Sequence, residues 1–494
     1  MVSACRARNF CNSNLFYNFT VRLLTYPLVP LEQRESRRWR FLGSNPSSWT
    51  TSSLSDSEDF FWYFGELIKT KCMRNRLFLA ALLFLPVVLR AQLPVADTFY
   101  LLKPARVFDG EQMHEGWQVL VKNGLILSAG SKTDVPAGCH IVELNNCTLL
   151  PGLIEGHGHL FLHPYNETSW NDQVLKESRA ERLARAVNHA RETLLAGFTT
   201  LRDLGTEGSM YDDVGLKHAI EKGIVPGPRI LAATRAIVVT GSYGPKSESA
   251  DVILPQGAAE AANTDELLKE IDVQIGKGAD LIKLYADYRW GREGEAQPTF
   301  SEADLARAVA QAKSSGRMVA VHATTAEGMR RSIAAGVTTI EHGDNGDAAI
   351  FKSMKEKGVA LCPTLAAGLA VEQYRGWQPG MEEPQHLQEK RKSFKAALAA
   401  GVTICMGGDV GVFAHGDNAR EMELMVAYGM APADVLRSAT SVNADVFGMG
   451  GSVGRIKPGL LADITVVEGD PVKNMAVLHK VRMVMKGGVV YKQK

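Results

Sequence analysis

The sequence predicts an α/β fold, in which a (β/α)8 TIM barrel carries a small β-sandwich domain built from both ends of the mature chain. Eight apolar strands, separated mostly by helical stretches, occupy about 300 residues in the middle of the chain, as expected for such a barrel. Short strands and tight turns lie on both sides of this middle region. Because neither end is long enough to bury a core alone, we expect the two ends to meet.

The start of the chain differs from the remainder. Residues 1–72 are rich in serine, threonine and arginine and lack an amphipathic period, which predicts a disordered or non-native extension. Residues 73–91 combine a basic start, an apolar run from Leu77 to Leu89 and a small final residue, the arrangement of a secretory signal peptide. The run is shorter than the roughly 20 residues of a spanning helix, so we expect no stable membrane span. We therefore expect translation to begin at Met73 and the mature protein to be exported, either periplasmic or extracellular.

Composition indicates a globular protein without a polyanionic partner. The chain has 494 residues, of which 45% are hydrophobic and 22% charged, and its net charge is +1. This length allows a large core and a second small domain. There is no basic stripe or recognition motif, so a nucleic-acid partner is not expected. Cys139 and Cys147 flank a short strand and would be able to pair in an oxidising compartment, whereas Cys362 and Cys405 lie in apolar strands and are expected in the core.

Residues 98–150 and 455–494 are the two parts of the predicted sandwich. Short strands are expected in the first part at 99–103, 117–122, 125–129 and 140–143, and in the second at 462–468 and 481–486. Asn123-Gly124 is a hairpin signal, and Gly487-Gly488 marks a turn near the end of the chain.

Residues 151–454 are the predicted barrel. Its strands are expected at 149–155, 198–202, 229–233, 279–284, 318–321, 337–341, 359–363 and 402–406. The clearest helical stretches between them are 176–196, 264–276, 301–315 and 326–335. Ser301 is a predicted N-cap, and Gly336 a predicted helix stop.

Side chains that can bind a metal lie at the carboxyl ends of these strands, at the end of the barrel where chemistry gathers. They are His157 and His159 on the first strand, Lys283 on the fourth, His322 on the fifth, His342 on the sixth and Asp409 after the eighth. Alternate residues of a strand share a face, so the first two histidines can hold one divalent cation. Each residue alone has a structural explanation, such as a hydrogen-bonded core histidine or a turn aspartate. All six at one rim are better explained by a metal centre.

These residues and their surroundings resemble the metal-dependent amidohydrolase superfamily, specifically its imidazolonepropionase-like and Xaa-Pro-dipeptidase-like branch. The resemblance covers residues 98–494. The motifs that carry it are Pro-Gly-Leu-Ile-Glu-Gly-His-Gly-His (151–159), Gly-Phe-Thr-Thr-Leu-Arg-Asp (197–203), Ile-Lys-Leu-Tyr (282–285), Val-Ala-Val-His-Ala (319–323), Thr-Ile-Glu-His-Gly (339–343), Gly-Gly-Asp (407–409) and Lys-Pro-Gly-Leu-Leu-Ala-Asp (457–463).

The resemblance implies two divalent metal ions. The implied ligands are His157, His159 and Asp409 for the more buried metal, His322 and His342 for the second, and Lys283, N6-carboxylated, as the bridge between them. Lys283 offers oxygen ligands only in its carboxylated form, since an ammonium cannot bind a cation. Zinc suits these ligands, and so do manganese, iron and cobalt.

The implied reaction is hydrolysis of an amide, peptide or cyclic-amide C–N bond by a metal-bridging hydroxide. Asp409 is expected to take the proton and deliver it to the leaving nitrogen. Dipeptides and N-acyl amino acids are the favoured substrates. We also expect Tyr285, His415 and His163 to contact the substrate. Arg202-Asp203 resembles a family motif, for which we expect a supporting ion pair beneath the metal histidines.

Other functions stay open from the sequence. A deaminase of the same superfamily would normally lack Lys283 and place an acidic residue two or three positions after His322, where this chain has Thr324 and Thr325. Lactone or ester hydrolysis uses the same centre. A non-catalytic ligand-binding barrel would be favoured by missing ligands, yet all six candidates are present. The long, aromatic and charged segment 285–297 is expected to set the substrate, whose identity the sequence leaves open together with the metal and the oligomeric state, a homo-oligomer included.

Overall fold

The structure, a computed structural model, describes residues 97–494. The predicted extension at 1–72 and the predicted signal peptide at 73–91 lie outside the described residues. Within 97–494, no helix combines the length and the apolar character that crossing a membrane requires.

Strands and helices alternate through most of the described chain. The strands are β1 (Phe99–Phe108), β2 (Met113–Glu115), β3 (Gln118–Lys122), β4 (Leu125–Gly130), β5 (His140–Pro151), β6 (Leu153–Gly158), β7 (Phe198–Asp203), β8 (Arg229–Ala232), β9 (Ile237–Val239), β10 (Ala259–Ala261), β11 (Leu281–Tyr285), β12 (Asp287–Arg289), β13 (Ala296–Pro298), β14 (Met318–Ala323), β15 (Thr339–His342), β16 (Ala360–Cys362), β17 (Ile464–Glu468), β18 (Val481–Lys486) and β19 (Val489–Gln493).

The helices lie mainly between the strands of the middle region. They are α1 (Trp170–Lys176), α2 (Arg179–Leu195), α3 (Asp212–Glu221), α4 (Thr264–Lys277), α5 (Glu302–Ser314), α6 (Ala326–Ala335), α7 (Ala348–Lys357), α8 (Leu365–Tyr374), α9 (Gln385–Ala400), α10 (Ala419–Ala427), α11 (Pro432–Arg437) and α12 (Asn443–Val446), with a π-helix at Ser438–Val442 and a 3₁₀ helix at Met475–His479.

Local sequence explains where several helices begin and end. Ser301 caps α5 in a capping box with Asp304, so two backbone N–H groups that lack a helical partner are satisfied. Ser178 caps α2 by accepting from the Glu181 amide. Gly336 ends α6 in the left-handed conformation, which costs glycine little.

One sheet combines both ends of the described chain. Its strand order is β19-β18-β17-β5-β1-β3-β4, and β2 pairs with β1. Strand β17 runs antiparallel to β5, with Val466 opposite Leu149. Both of these side chains are fully buried, together with Leu102 and Met483, in one apolar cluster. Burial of that shared face holds the two ends together.

The middle region forms two further sheets of mainly parallel strands. One has the order β6-β7-β8, and the other β10-β9-β11-β14-β15-β16. All residues of β6, β7, β11 and β16 are buried, as expected for parallel strands covered on both faces. Single parallel bridges, Gly158 to Val410 and Leu361 to Ile404, connect β6 and β16 to the same downstream segment.

The predicted strand at 402–406 is not a continuous strand. Leu361 receives a backbone hydrogen bond from Cys405 and donates one to Thr403, but the next residue, Met406, donates to Ser438 instead. The backbone therefore leaves β16 after one bridge and continues beside β6, where the Gly156 amide donates to the Met406 carbonyl and the Asp409 amide donates to the His157 carbonyl.

All four cysteines among the described residues are free thiols, so Cys139 and Cys147 are not paired in this structure.

Candidate metal centre

The carboxyl ends of the parallel strands bring the sequence-predicted ligands to one cluster. His157 lies in β6 and His159 directly follows it, while Lys283, His322 and His342 lie in β11, β14 and β15. Donor atoms of His157, His342 and Asp409 all lie within 4.8 Å of one another. The ring of His322 lies beside that of His342, with centroids 4.5 Å apart. The strand order of the fold thus assembles residues that are separated by up to 252 positions in the sequence.

Asp409 is the centre of the first group of ligands. Its Oδ1 lies 3.2 Å from His159 Nε2 and 3.6 Å from His157 Nε2. The Asp409 amide donates to the His157 carbonyl at 2.8 Å, which fixes the loop against β6. Burial disfavours the charged carboxylate, but the two histidines outweigh it and lower the pKa of Asp409 to about 2.

Hydrogen bonds at Nδ1 orient three of the histidines. Nδ1 of His157 is 3.0 Å from Glu341 Oε2, Nδ1 of His159 is 2.8 Å from the Gly205 carbonyl, and Nδ1 of His342 is 2.7 Å from Thr364 Oγ1. A histidine that donates from Nδ1 keeps the Nε2 lone pair for a metal. These bonds therefore turn three Nε2 atoms into metal-binding positions.

Burial keeps most of these imidazoles neutral. It lowers the pKa of His157 to about 4 and that of His322 to about 3. Burial acts in the same direction on His159, but its Asp409 partner prevails and raises the pKa of His159 to about 9. A metal ion would replace the proton that His159 holds beside this carboxylate.

Lys283 provides the clearest test of whether the residues fit a two-metal centre. Its side chain is fully buried, and within 97–494 no group hydrogen-bonds its Nζ. Burial lowers the pKa of Lys283, while the carboxylates of Glu341 and Asp409 oppose that shift. A buried amine without a partner is costly to keep as an ammonium, so burial favours the neutral amine. The neutral amine is the form that reacts with carbon dioxide. Four imidazoles, a carboxylate and a carboxylated lysine fit two divalent ions.

Glu341 and Cys362 also approach His157, yet they do not form a second metal site. The carboxylate of Glu341 is already occupied by His157 Nδ1, by Arg202 and by Thr339. Burial raises the pKa of the Cys362 thiol well above its ordinary value, so it stays protonated. Glu341 acts on the centre by orienting His157.

Arg202 makes the predicted supporting ion pair, but its partner is not Asp203. Its guanidinium donates to Glu341 at 2.8 Å, and both side chains are fully buried. Consecutive residues of β7 point to opposite faces, so Asp203 faces away, and burial raises the pKa of its carboxyl well above the ordinary value. The ion pair reaches the metal cluster through Glu341 and His157.

Glu155 connects the end of β6, which carries His157, to the segment that carries Asp409. Its Oε1 accepts from the amides of His157 and Gly408 at 3.0 and 2.9 Å, and its Oε2 accepts from Asn418 at 2.9 Å. Sequence reasoning missed this role, although Glu155 and His157 are two residues apart on one strand and therefore share a face.

The cluster opens into a cavity of about 720 Å³. Tyr285, predicted to contact substrate, lines it and stacks on His322 with centroids 4.4 Å apart. The predicted substrate segment forms the hairpin β12–β13, which contributes Tyr288, Arg289 and Ala296 to the lining. The hairpin thus lies beside the metal cluster.

The structure does not bring His163 and His415 to this cavity. His163 is buried between Glu167 and Glu177, at 3.1 and 2.8 Å. His415 stacks on His189 with centroids 4.3 Å apart and lines a separate cavity of about 280 Å³. Both histidines are held by neighbours that leave them no contact with the cavity of the metal cluster.

Other lining residues were not identified from the sequence. They include Trp170, Glu207, Thr364 and Lys390. Glu207 and Thr364 lie in the loops directly after β7 and β16 and have strained backbone, whereas Trp170 and Lys390 lie in α1 and α9. Their approach to the cavity depends on the tertiary structure.

Comparisons with known proteins agree with this geometry. Residues 148–491 match the amidohydrolase family. Ochratoxinase from Aspergillus niger is 28% identical over 428 residues, which are 78% of this chain and 84% of that protein. A solved structure of a Xaa-Pro dipeptidase with methionine bound in its active site superposes with a TM-score of 0.71 at 28% identity, covering 80% of this chain and 100% of that one. The solved structure of a putative prolidase from Bifidobacterium longum superposes with a TM-score of 0.66 at 27% identity, covering 80% of this chain and 96% of that one.

Proposed function

Because the chain belongs to the amidohydrolase family, we propose that its metal cluster binds two divalent ions and that it hydrolyses amide or peptide bonds. Membership of this family, with an ochratoxinase and a Xaa-Pro dipeptidase among the similar proteins, makes it a hydrolase that acts on C–N bonds. The observation that carries the proposal of two metals is the buried Nζ of Lys283, which has no hydrogen-bond partner among the residues described. Apart from the larger effect of burial, its charge lies close enough to lower the pKa of His157, His322, His342 and Asp409.

His157, His159 and Asp409 would hold one ion, His322 and His342 the other, and Lys283 would contact both as the N6-carboxylated side chain. Divalent cations at these positions supply Lewis acidity towards a water molecule and towards the scissile carbonyl. Zinc fits the donors, and manganese, iron or cobalt fit them as well.

Asp409 moves the proton. Its carboxylate accepts a proton on an oxygen from the attacking water and delivers it to the leaving nitrogen, which is a poor leaving group without it. The backbone hydrogen bond from the Asp409 amide to the His157 carbonyl fixes the position of this carboxylate. Tyr285, stacked on His322 at the cavity wall, places its phenol where it can contact a substrate carbonyl or carboxylate.

The fold proposal is a (β/α)8 barrel over residues 151–454 and a composite β-sandwich over 98–150 and 455–494. Two bridges support closure of the barrel, since β6 and β16, which end the two parallel sheets, both contact the segment at 404–410. Pairing of β5 with β17 supports the composite domain.

We favour peptides and N-acyl amino acids as substrates. The similarity to a Xaa-Pro dipeptidase supports hydrolysis of an amide formed with an amino acid. At the position where a deaminase would have an acidic residue, Thr324 and Thr325 instead donate to Asp287.

Metal analysis combined with a substrate screen tests the proposal. The purified protein, loaded with zinc in bicarbonate buffer, should contain two metal ions per chain and should cleave members of a dipeptide and N-acyl amino acid panel. Lys283→Met should lose one metal and most of its turnover, whereas Lys269→Met, at an exposed position of α4, should retain both. One metal per chain, with ammonia released from ring amines, would contradict the proposal and favour a deaminase.

We also propose that the protein is exported, on the basis of the signal-peptide pattern in residues 73–91. Expression from the full reading frame, followed by N-terminal sequencing of the exported protein, should give a start near Gln92. An intracellular protein that begins at Met1 would contradict it.

A further inference from the structure

One wall of the cavity surrounds a buried carboxylate with aromatic rings. The carboxylate belongs to Glu207, and the rings are those of Trp170, Tyr243, Tyr285 and Tyr288; we call these five residues the aromatic cage. None of them is a predicted metal ligand.

Glu207 is held in place but only half satisfied. Its Oε2 accepts from Trp170 Nε1 at 3.0 Å and from Tyr243 Oη at 2.7 Å. The residue is 2% exposed, and its other oxygen, Oε1, has no hydrogen-bond partner within residues 97–494. A buried carboxylate oxygen without a partner is costly, so a ligand that donates to Oε1 would bind with a favourable free energy.

The rings of the cage are in mutual contact. Tyr243 packs against Trp170, Tyr285 and Tyr288, with centroids 5.2, 5.1 and 4.7 Å apart. Two of these contacts, with Trp170 and Tyr285, are edge-on, and one face of the Tyr285 ring stacks on His322. Aromatic faces attract organic cations, and a neighbouring carboxylate adds a charged hydrogen bond.

The charges around the cage favour a cation over an anion. Burial, followed by the charge of Glu207, raises the pKa of Tyr243 and Tyr285 well above the ordinary value, so these phenols stay neutral. The buried guanidinium of Arg182 donates to the backbone carbonyl of Glu207 and makes no hydrogen bond to its carboxylate. Two exposed arginines, Arg289 on the hairpin and Arg375, also line this cavity, and neither hydrogen-bonds the Glu207 carboxylate among the described residues.

The cage lies next to the metal cluster. A methyl group built on Gly205 would be 3.1 Å from Glu207 Oε1 and 3.7 Å from His159 Cε1, so both atoms border the same small space. In a peptide with a free amino end, one carbon atom separates the ammonium from the first carbonyl carbon. An anionic group for that ammonium must therefore lie beside the metals, as Glu207 does.

We propose that Glu207 and the aromatic cage bind the free α-ammonium of the substrate, so that the enzyme cleaves dipeptides with an unblocked amino end in preference to N-acyl amino acids. This inference rests on the proposed amide hydrolysis and narrows its substrate class. A side-chain ammonium is the other source of the same chemistry, and the substrates below separate the two.

Three amides of L-alanine test the proposal on the metal-loaded full chain. L-Leucyl-L-alanine carries the α-ammonium, 4-methylpentanoyl-L-alanine has the same carbon skeleton without it, and 6-aminohexanoyl-L-alanine carries the ammonium at the far end. We expect kcat/KM for the first to exceed that for the second by about 10- to 100-fold, the effect of one hydrogen bond to a charged group. The third should behave like the second. Equal kcat/KM for the first two would overturn the proposal while amide hydrolysis stands, and a preference for the third would overturn the α-ammonium assignment.

Glu207→Gln should remove the preference. A glutamine oxygen still accepts from Trp170 and Tyr243, so the fold should be retained, but the charge is lost. The ratio of kcat/KM for L-leucyl-L-alanine to that for 4-methylpentanoyl-L-alanine should fall towards one, mainly through KM. Glu356→Gln, an exposed carboxylate of α7, should leave the ratio unchanged. An unchanged ratio in Glu207→Gln would overturn the proposal.

Binding without chemistry separates this inference from the proposed function. The metal-free full chain is titrated with L-leucinol and with 4-methylpentan-1-ol, which differ only by the amine. Calorimetry should give at least 10-fold tighter binding of L-leucinol, and Glu207→Gln should abolish the difference. Tight L-leucinol binding without turnover of any amide would refute the proposed function and support the cage, whereas equal binding of the two alcohols would overturn the cage.

Discussion

Residues of the centre hold backbone conformations that side chains rarely adopt. His342, Thr364 and Asp409 have φ values of 75°, 50° and 62°, and Glu207 has 48°. Each such residue costs on the order of 1 kcal/mol or more relative to ordinary backbone. Hydrogen bonds such as that between His342 and Thr364 hold the conformations in place. The centre is therefore preorganised at the expense of stability.

Asp409→Asn should lower turnover far more than metal content. The amide cannot accept the proton that must reach the leaving nitrogen, so kcat should fall by about 10²- to 10⁴-fold. Steady-state kinetics and metal analysis of the same sample check both quantities. Asp417→Asn, a half-buried residue further along the same segment, serves as the control. Turnover near the wild-type value in Asp409→Asn would remove the carboxylate from its assigned role.

Thr364→Val should weaken metal binding. The change keeps the shape of the side chain but removes the hydroxyl 2.7 Å from His342 Nδ1, which orients the ring. Loss of such an orienting partner typically lowers metal affinity by about 10- to 100-fold. Competition with a chromogenic chelator measures the affinity. Thr193→Val replaces a buried hydroxyl in α2 that has no hydrogen-bond partner among the described residues, and it should leave metal affinity unchanged.

At the scale of elements, an ion pair joins the strands beneath the centre. Arg202 in β7 donates to Glu341 in β15 and, at 2.6 Å, to the Gly156 carbonyl in β6. Its guanidinium also stacks over Phe447 at 4.2 Å. One side chain thus fixes the relative position of three strands.

Arg202→Met should destabilise the fold strongly. Glu341 would remain buried without its cation, a loss of about 3–5 kcal/mol in the free energy of unfolding. Chemical denaturation measures this loss, and Arg330→Met, in an exposed ion pair on α6, should show no comparable change. Burial raises the pKa of Glu341, but the charge of Arg202 outweighs burial and lowers this pKa below its ordinary value of 4.5 in the native protein. The difference in the free energy of unfolding between Arg202→Met and the wild type should therefore narrow as the pH falls below 4.5, because Glu341 is then protonated in the unfolded chain. A difference that stays constant across that range would contradict this account.

Sequence reasoning located strand ends better than the loops between strands. A buried strand followed by histidine or lysine is a periodic, local signal, so residues such as His322 and Lys283 were identified from the sequence, and the structure places both in strands at the cluster. Glu207 follows β7 in an irregular loop, and its role depends on Trp170 and Tyr243, which approach from other segments. His415 was expected in the cavity because it resembles a residue of the family's pocket loop after the eighth strand, yet the path of its loop leads it to His189. Side-chain partners of that kind are set by tertiary structure alone.

At the scale of the whole molecule, the shared sheet makes the chain ends depend on each other. A chain that stops after Lys457 lacks β17, β18 and β19, and would expose the buried face of β5 together with an unpaired strand edge. We expect such a chain to be insoluble or to lack a cooperative thermal transition. Circular dichroism and the soluble yield measure this.

A shorter deletion provides the matched control. A chain that stops after Gly488 lacks only β19, an edge strand whose first residue, Val489, is 56% exposed. It should fold with a lowered Tm. A cooperative transition at the wild-type Tm in the chain that ends at Lys457 would show that the two ends are not interdependent.

The pairing of β5 with β17 also bears on how the protein is made. A ribosome releases residues 140–151 long before residues 464–468, so the nascent chain carries β5 with one bare edge throughout most of its synthesis. Such an edge recruits other strands. The nascent chain is therefore most prone to intermolecular strand pairing until β17 emerges, and a chaperone that covers the bare edge of β5 would prevent such pairing.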